Sequence, residues 1–320
     1  MEQVKEIAGR IVDEVSKIIV GKDEQLRVVI MAVFCGGHVL IDDLPGVGKT
    51  TLVKTISRVL GCTFSRVQFT PDLLPSDIVG MNVFNQKTGE FSMLHGPVMA
   101  NILLADEINR AIPRTQSALL EAMEELQVTV DSKTYPLPSP FLVLATQNPV
   151  ETESTFNLPV AQMDRFLVRL ALGYPSHSEE TLILKKVGDE IPFGALQPLL
   201  DPAKINDIQQ KIRSVFTCDA VLDYMASIVE ATRANLHIRL PASPRGTRAI
   251  YRASKAWAAM DGRDFVTPDD VKALAAYILP HRIVLTGEAR LSGKTQHGII
   301  ADILDSVAAP ADREAVLYGS

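Results

Sequence analysis

Ile7, Ile11, Val15 and Ile18 recur at helical spacing, so the first twenty residues read as an amphipathic helix. The segment "HVLID" is a short apolar strand, and a glycine-containing loop follows it directly. Leu52, Val53, Ile56, Val59 and Leu60 then share one helical face, with Gly61 as the stop. Further buried strands are predicted at "FSRVQF", "NILLAD", "FLVLATQN" and "FLVRLAL", with a helix over Thr115 to Leu126 among them. The first half therefore reads as an α/β unit with a mostly parallel, buried sheet. Two hairpins decorate it. One is "MNVFNQKTGEFSML" (81–94), turning at Lys87-Thr88-Gly89, and the other lies within 127–138, turning at Asp131-Ser132-Lys133.

After "GYPS" at Gly173 the strand signals stop, and helices are expected at 203–216, 219–235, 244–260, 268–278 and 296–306. Thr267-Pro268-Asp269-Asp270 has the N-cap, first-position proline and early acids of a helix start. The Pro- and Gly-rich stretch from Val187 to Pro202 reads as a loop. The expected division is residues 1–173 as one domain and 174–320 as a second, all-helical one.

Composition narrows the class. With 47% hydrophobic and 22% charged residues the chain is of ordinary globular type. Three cysteines, Cys35, Cys62 and Cys218, are far apart and carry no zinc-type spacing, which favours a reducing compartment over a disulfide framework. The run "VVIMAVFCGGHVLI" is too short to span a bilayer, and no secretion signal precedes it, so a soluble cytoplasmic protein is expected. The net charge of -6 and the lack of a basic stripe disfavour nucleic-acid binding as the main activity.

Candidate chemistry lies at the strand ends. In "IDDLPGVGKTT" the residues Pro45, Gly46, Val47, Gly48, Lys49, Thr50 and Thr51 follow a strand and open a helix, the setting of a phosphate-binding loop. Lys49 would reach the β- and γ-phosphates and Thr50 would offer its hydroxyl to Mg²⁺. The pattern's first glycine is replaced by Asp43, a residue that tolerates a left-handed backbone and whose carboxylate must turn away from the phosphates. A plain strand-to-helix turn is the alternative reading of the loop alone.

"ILLADE" ends an apolar strand in Asp106, able to hold Mg²⁺, and Glu107, able to orient and deprotonate a water; acids that merely end a strand in solvent are the bland alternative. Asn148 ends another strand, where its amide would contact the γ-phosphate or the lytic water, although Asn-Pro is also a routine turn. Arg165, just before the last strand, is placed to project toward a neighbouring subunit's nucleotide, against a surface salt bridge to Asp164 as the alternative. Arg245 follows Ser243 and Pro244 at a helix start, where a cation is unfavourable unless an anion is near, which favours a phosphate-facing role over an exposed charge.

Together these residues resemble the AAA+ ATPases and, within them, the MoxR family. The blocks "FTPDLLPSDIVG", "HGPVMANILLADEINRAIPRTQSALLEAMEE", "LPVAQMDRF", "ASPRGTRAIYRASKAWAAMDGRDFVTPDDV" and "LPHRIVL" carry the resemblance, which runs from about Val20 to Pro310. It implies an AAA+ P-loop domain with a parallel sheet followed by a helical lid, assembled as a ring, usually a hexamer, with ATP and Mg²⁺ between subunits. It implies that Lys49 and Thr50 are Walker A, Asp106 and Glu107 Walker B, Asn148 sensor 1, Arg165 the arginine finger and Arg245 sensor 2. Val20 and Gly21 resemble the segment lining the adenine pocket. The hairpins match the family's inserts, whose tips, here Lys87 and Lys133, are candidate contacts for a partner or client. "ESTFNLP" departs from the Glu-Gly-Thr-Tyr-x-Leu-Pro of many relatives, and relatives often carry Asp or Gly at position 43.

The leading expectation is a chaperone-like ATPase acting on a protein client, such relatives often pairing with a partner bearing a von Willebrand factor A domain. The alternatives are a nucleotide-gated binding module with little turnover, a nucleic-acid motor and a magnesium-chelatase-like motor subunit. Glu107 rather than Gln weighs against the first of these and the acidic balance against the second.

Overall fold

A computed structural model describes residues 1–310 except 88, 149–154 and 189–190. Thr88 of the first hairpin turn, the proline of Asn148-Pro149, Glu153 and Ser154 of "ESTFNLP" and the last ten positions of the 174–320 span lie outside the described residues.

Helix α1 (Glu2–Val15) buries Val4, Ala8, Ile11 and Val15 on one face. It leads to α2 (Asp23–Phe34), whose last nine residues, apart from Arg27, are buried all round. The sequence reading passes over α2, because a continuous apolar run has no 3.6-residue period to detect. Strand β1 (His38–Asp42), α3 (Lys49–Val59) and β2 (Phe64–Gln68) follow. A short helix α4 (Pro75–Val79) runs straight into the first hairpin, β3 (Gly80–Asn85) and β4 (Glu90–His95). Next come β5 (Ile102–Asp106) and α5 (Pro113–Glu125), which ends at Leu126 in the left-handed conformation. The second hairpin is β6 (Gln127–Val130) and β7 (Lys133–Pro136), and both turn residues, Asp131 and Ser132, have positive φ, as a two-residue hairpin turn requires. Strand β8 (Leu142–Gln147), the single turn α6 (Val160–Met163) and β9 (Phe166–Leu170) complete the first half.

The five strands β2, β5, β8, β1 and β9 form one sheet in that order, and every neighbouring pair is parallel. All five therefore point their carboxyl ends to one edge, where ligands bind in open α/β sheets. Apolar side chains fill both faces. Leu103, Ala105, Val143 and Ala145 pack with α5 on one side, while Ile102, Leu104, Leu142 and Leu144 join α1, α2 and α3 on the other.

The second half supplies α7 (His177–Lys186), α8 (Pro202–Arg213), α9 (Asp219–Ala234), β10 (Ile238–Leu240), α10 (Pro244–Met260), α11 (Pro268–Ile278), β11 (Val284–Leu285), α12 (Gly287–Leu291) and α13 (Gln296–Ser306). It is not wholly helical as expected, since β10 and β11 pair antiparallel. Strands of three and two residues are too short to show an alternating pattern. Helix α7 is likewise absent from the sequence reading; no residue of it is buried, so its start is marked only by the Ser176–Glu179 capping box. Thr267 caps α11 as expected, with Asp270 completing that box. The apolar core of these helices is continuous with that of α1 and α2, and α10 packs on both.

His38 shows how tightly the start of β1 is bound. Its Nδ1 accepts the Val143 N–H at 3.0 Å and its Nε2 faces Met123 O at 3.2 Å, which together define a neutral ring. Burial lowers its pKa from 6.5 to about 4. An unfolded chain takes up this proton as pH falls below about 6.5 and the folded chain does not, so folded stability drops with acidification. The loss from this group between pH 7 and 5 is on the order of 2 kcal/mol. Urea unfolding at the two pH values should show that part of the dependence vanish in His38→Gln; an unchanged dependence would rule His38 out as its source.

Candidate functional site

Asp42 ends β1, and the chain turns through residues 43–48 into α3, whose N-cap is Gly48. Gly46 and Gly48 both have φ of +85°, and an added Cβ at either would meet nothing within 4 Å. Glycine is needed there for the left-handed backbone that turns N–H groups into the loop, not for space. Lys49 Nζ donates to the carbonyl of Asp43 at 2.8 Å, across the loop it would share with a phosphate.

Asp43 itself differs from expectation. It does not adopt a left-handed backbone; among described non-glycine residues positive φ occurs at Glu107, Leu126, Asp131 and Ser132. Its carboxylate accepts N–H bonds from Leu44 at 2.9 Å, Leu172 at 2.5 Å and Gly173 at 2.8 Å. The side chain thus turns away from the loop's interior, as anticipated, because it ties the start of the loop to the chain leaving β9. Asp43→Ala leaves buried donors unpaired and should cost about 1 to 3 kcal/mol in chemical denaturation. A stability equal to wild type would show that the anchor is dispensable.

The other strand ends converge on this edge. Asp106 is 8% exposed at the end of β5. Thr146 Oγ1 donates to its Oδ1 at 2.6 Å and accepts the Glu107 N–H at 2.8 Å. Glu107 stands in the left-handed region at φ 55°, a conformation costly for a non-glycine residue and held here by that contact. Its Oε2 accepts from Gln68 Nε2 at 2.6 Å and Arg110 Nη1 at 3.0 Å. Asn148, 5% exposed, directly follows β8, between the strands that carry the loop and Asp106. Val20 and Gly21 reach the same edge. Lys22 Nζ donates to Tyr174 O at 3.3 Å, and the Glu179 side chain lies against Gly21.

The donor set suits Mg²⁺, a hard cation that takes oxygen ligands. Thr50 offers a hydroxyl and Asp106 a carboxylate, and the outer oxygen of Asp106 already carries a positive group, Arg66, through Nη2 at 2.7 Å and Nε at 3.2 Å. No cluster of three or more His, Cys, Asp or Glu able to hold a metal exists among the described residues, so an ion here would complete its shell with water or phosphate oxygens. Sequence reasoning misses Thr146, Arg66 and Gln68. A polar Thr inside "FLVLATQN" and the polar residues of "FSRVQF" are the available signals.

Arg165 and Arg245 are not at this edge. Arg165 immediately precedes β9, and Phe166 pairs with His38 at the start of β1, so Arg165 lies at the amino-terminal edge. A strand of five residues separates the edges by about 16 Å. Arg165 pairs with Glu124 rather than with Asp164, its Nε 2.8 Å from Glu124 Oε2. Arg245, in the first turn of α10, places Nη2 2.5 Å from Glu124 Oε1. The anion required beside this helix start is therefore Glu124. The pair lines a cavity of about 340 Å³ with Arg248, Arg252 and Arg282.

A phosphate-loop parallel sheet with acids ending a central strand, followed by a helical bundle, defines the AAA+ class of ATPases. Residues 38–168 match the family described as "ATPase family associated with various cellular activities (AAA)", and residues 230–303 match the AAA lid domain. Chaperone MoxR1 of Mycobacterium tuberculosis is 42% identical over 94% of this chain and 82% of its own. YeaC of Bacillus subtilis, which is uncharacterised, is 44% identical over 98% of both chains. A crystal structure of a candidate ATPase from Cytophaga hutchinsonii superposes with a TM-score of 0.90 at 38% identity, covering 97% of this chain and 96% of that one. The chain belongs to the MoxR family of AAA+ ATPases. No described helix is long and apolar enough to cross a membrane.

Proposed function

We propose that this chain hydrolyses ATP with Mg²⁺ in a ring, a hexamer by family resemblance, and uses the turnover to remodel or mature a protein client. The observation that carries this reading is the separation of Arg165 and Arg245 from the phosphate loop of their own chain. Two guanidinium groups meeting on one carboxylate make a site for a single anion, and here it lies on the face opposite the loop. A neighbouring subunit that set its nucleotide against this face would bring the loop and the arginines together, with both arginines acting on that neighbour's phosphates.

Within the nucleotide-bearing subunit the loop N–H groups and Lys49 would hold the phosphates. Thr50 and Asp106 would hold Mg²⁺, Arg66 giving way, and the ion when bound draws charge from the β- and γ-phosphates. Glu107 would accept a proton from the attacking water as Asn148 fixes its position, and Val20 and Gly21 would flank the base. Residues 1–173 and 174–320 serve in this reading as ATPase core and lid.

The client reading draws on the first hairpin. Phe84 and Phe91 pack against each other across it with tilted rings, centroids 5.2 Å apart, Phe91 being 72% exposed, and Met81, Val83 and Leu94 are exposed as well. Its Asn82, on the body of β3, donates to Asp131 at the turn of the second hairpin at 2.9 Å, so the tip of the second hairpin rests on the side of the first and the two form one platform. Exposed apolar surface of this kind marks protein contact. A partner with a von Willebrand factor A domain remains part of the proposal, as does a cytoplasmic site of action.

The test is turnover per chain against protein concentration. A site shared between subunits gives a rate per chain that rises with concentration to a plateau. A constant rate from a species shown to be monomeric would overturn the shared site.

A further inference from the structure

We propose that Asp164 is a positioning residue that joins Arg165 and Arg245 into one rigid pair, acting through Ser243 and Arg282. The inference rests on the shared-site reading above and adds the residues that set the spacing of its two arginines.

The side chains involved come from three distant blocks, "AQMDRF", "ASPRG" and "LPHRIVL", the last of which has no role so far. Asp164 Oδ2 accepts the Ser243 hydroxyl at 2.8 Å, and Ser243 Oγ in turn accepts the Arg245 N–H at 3.1 Å as the cap of α10. On its other oxygen, Oδ1, Asp164 pairs with Arg282 Nε at 2.8 Å. Arg282 is 3% exposed, and beside a 2.6 Å contact from Nη1 to His281 Nε2 its remaining donors meet backbone carbonyls, Ile278 O among them. Nη2 reaches Phe166 O at 2.7 Å and Asp164 O at 3.3 Å, and Nη1 reaches Leu167 O at 3.2 Å. The carbonyls on both sides of Arg165 are thus gripped by one guanidinium from the helical half. The same carboxylate holds the residue that caps the turn bearing Arg245.

Neither arginine has an alternative tether of this kind. Both side chains are partly exposed, and among described residues each has Glu124 as its one carboxylate within ion-pair distance. Arg165 belongs to the half that carries the sheet and Arg245 to the helical half, so any slip between the two would change the distance between their charges. The Asp164 bridge crosses that boundary within two residues of each. It combines a hydrogen bond to Ser243 with a buried ion pair to Arg282 whose Nε and Oδ1 lie close without hydrogen-bond alignment, an arrangement that fixes geometry rather than merely adding stability. Displacement of a catalytic group by ~1 Å can cost on the order of 10²-fold in rate.

The experiment compares Asp164→Asn, Ser243→Ala and Ser243→Thr with wild type, alone and in an Arg245→Ala background. Turnover is read at saturating ATP and plateau protein concentration, with ATP affinity measured separately. Expected are roughly tenfold lower kcat for Asp164→Asn and a smaller loss of the same kind for Ser243→Ala. ATP affinity should hold within about twofold, Ser243→Thr should restore kcat, and with Arg245 already alanine the Ser243→Ala loss should vanish and the Asp164→Asn loss should shrink to the part that acts through Arg165. Should Asp164→Asn not fold, the Ser243 pair decides alone. Unchanged kcat, or a loss that adds in full to that of Arg245→Ala, overturns the inference. An Arg245→Ala chain with wild-type kcat would instead overturn the shared-site reading of that residue.

Discussion

Arg165→Ala should bind ATP as the wild type does and hydrolyse it roughly 10³- to 10⁵-fold more slowly, the range found where a neighbour-supplied arginine stabilises phosphoryl transfer. The fold should survive, since the Glu124 pair that is lost is partly exposed, with side-chain exposures of 28% and 37%, and such pairs contribute at most about 1 kcal/mol. The decisive measurement is a mixture with Lys49→Ala. The first variant keeps an intact phosphate loop and the second an intact arginine, so a mixed assembly contains boundaries where one of each meets. Two nearly inactive preparations should regain turnover on mixing. If they assemble together and remain inactive, Arg165 does not act across a subunit boundary.

The second large effect belongs to Glu107. Glu107→Gln keeps the shape of the side chain and the backbone bond to Thr146 but removes the proton acceptor, so hydrolysis should fall roughly 10²- to 10⁴-fold while ATP binding persists. The stalled variant is also the means of finding the client. Isolated with ATP bound, it should retain a polypeptide at the hairpin platform. Retained nucleic acid would favour a motor on DNA or RNA, and an undiminished rate would show that Glu107 is not the base.

Much of this site is legible in the sequence because its signals are local. The loop, its helix and the acids ending "ILLAD" are contiguous in sequence, and apolar strands before them are long enough to read. Contacts between strands are not legible. Arg66 meets Asp106, and Gln68 meets Glu107, only because β2 lies beside β5, an order that no single stretch encodes. Glu124 illustrates the same limit. As one of several acids in "EAMEE" nothing marks it, yet the fold sets it between two arginines that stand 80 positions apart, at 165 and 245. The bridge from Asp164 to Ser243 and Arg282 is equally non-local. Helix α2 and the short strands β10 and β11 escape for the opposite reason, being local but without a usable period.

The aspartate at the head of the phosphate loop bears on how such loops are recognised. Position 43 has no positive φ, so here the glycine of the usual pattern is not a conformational necessity. Aspartate instead brings a clamp, satisfied by two amides that leave the last strand of the sheet. A search pattern that insists on glycine would discard this chain. One that accepts aspartate when a strand of the same sheet ends nearby would keep it, and would reject chance matches that lack those amides.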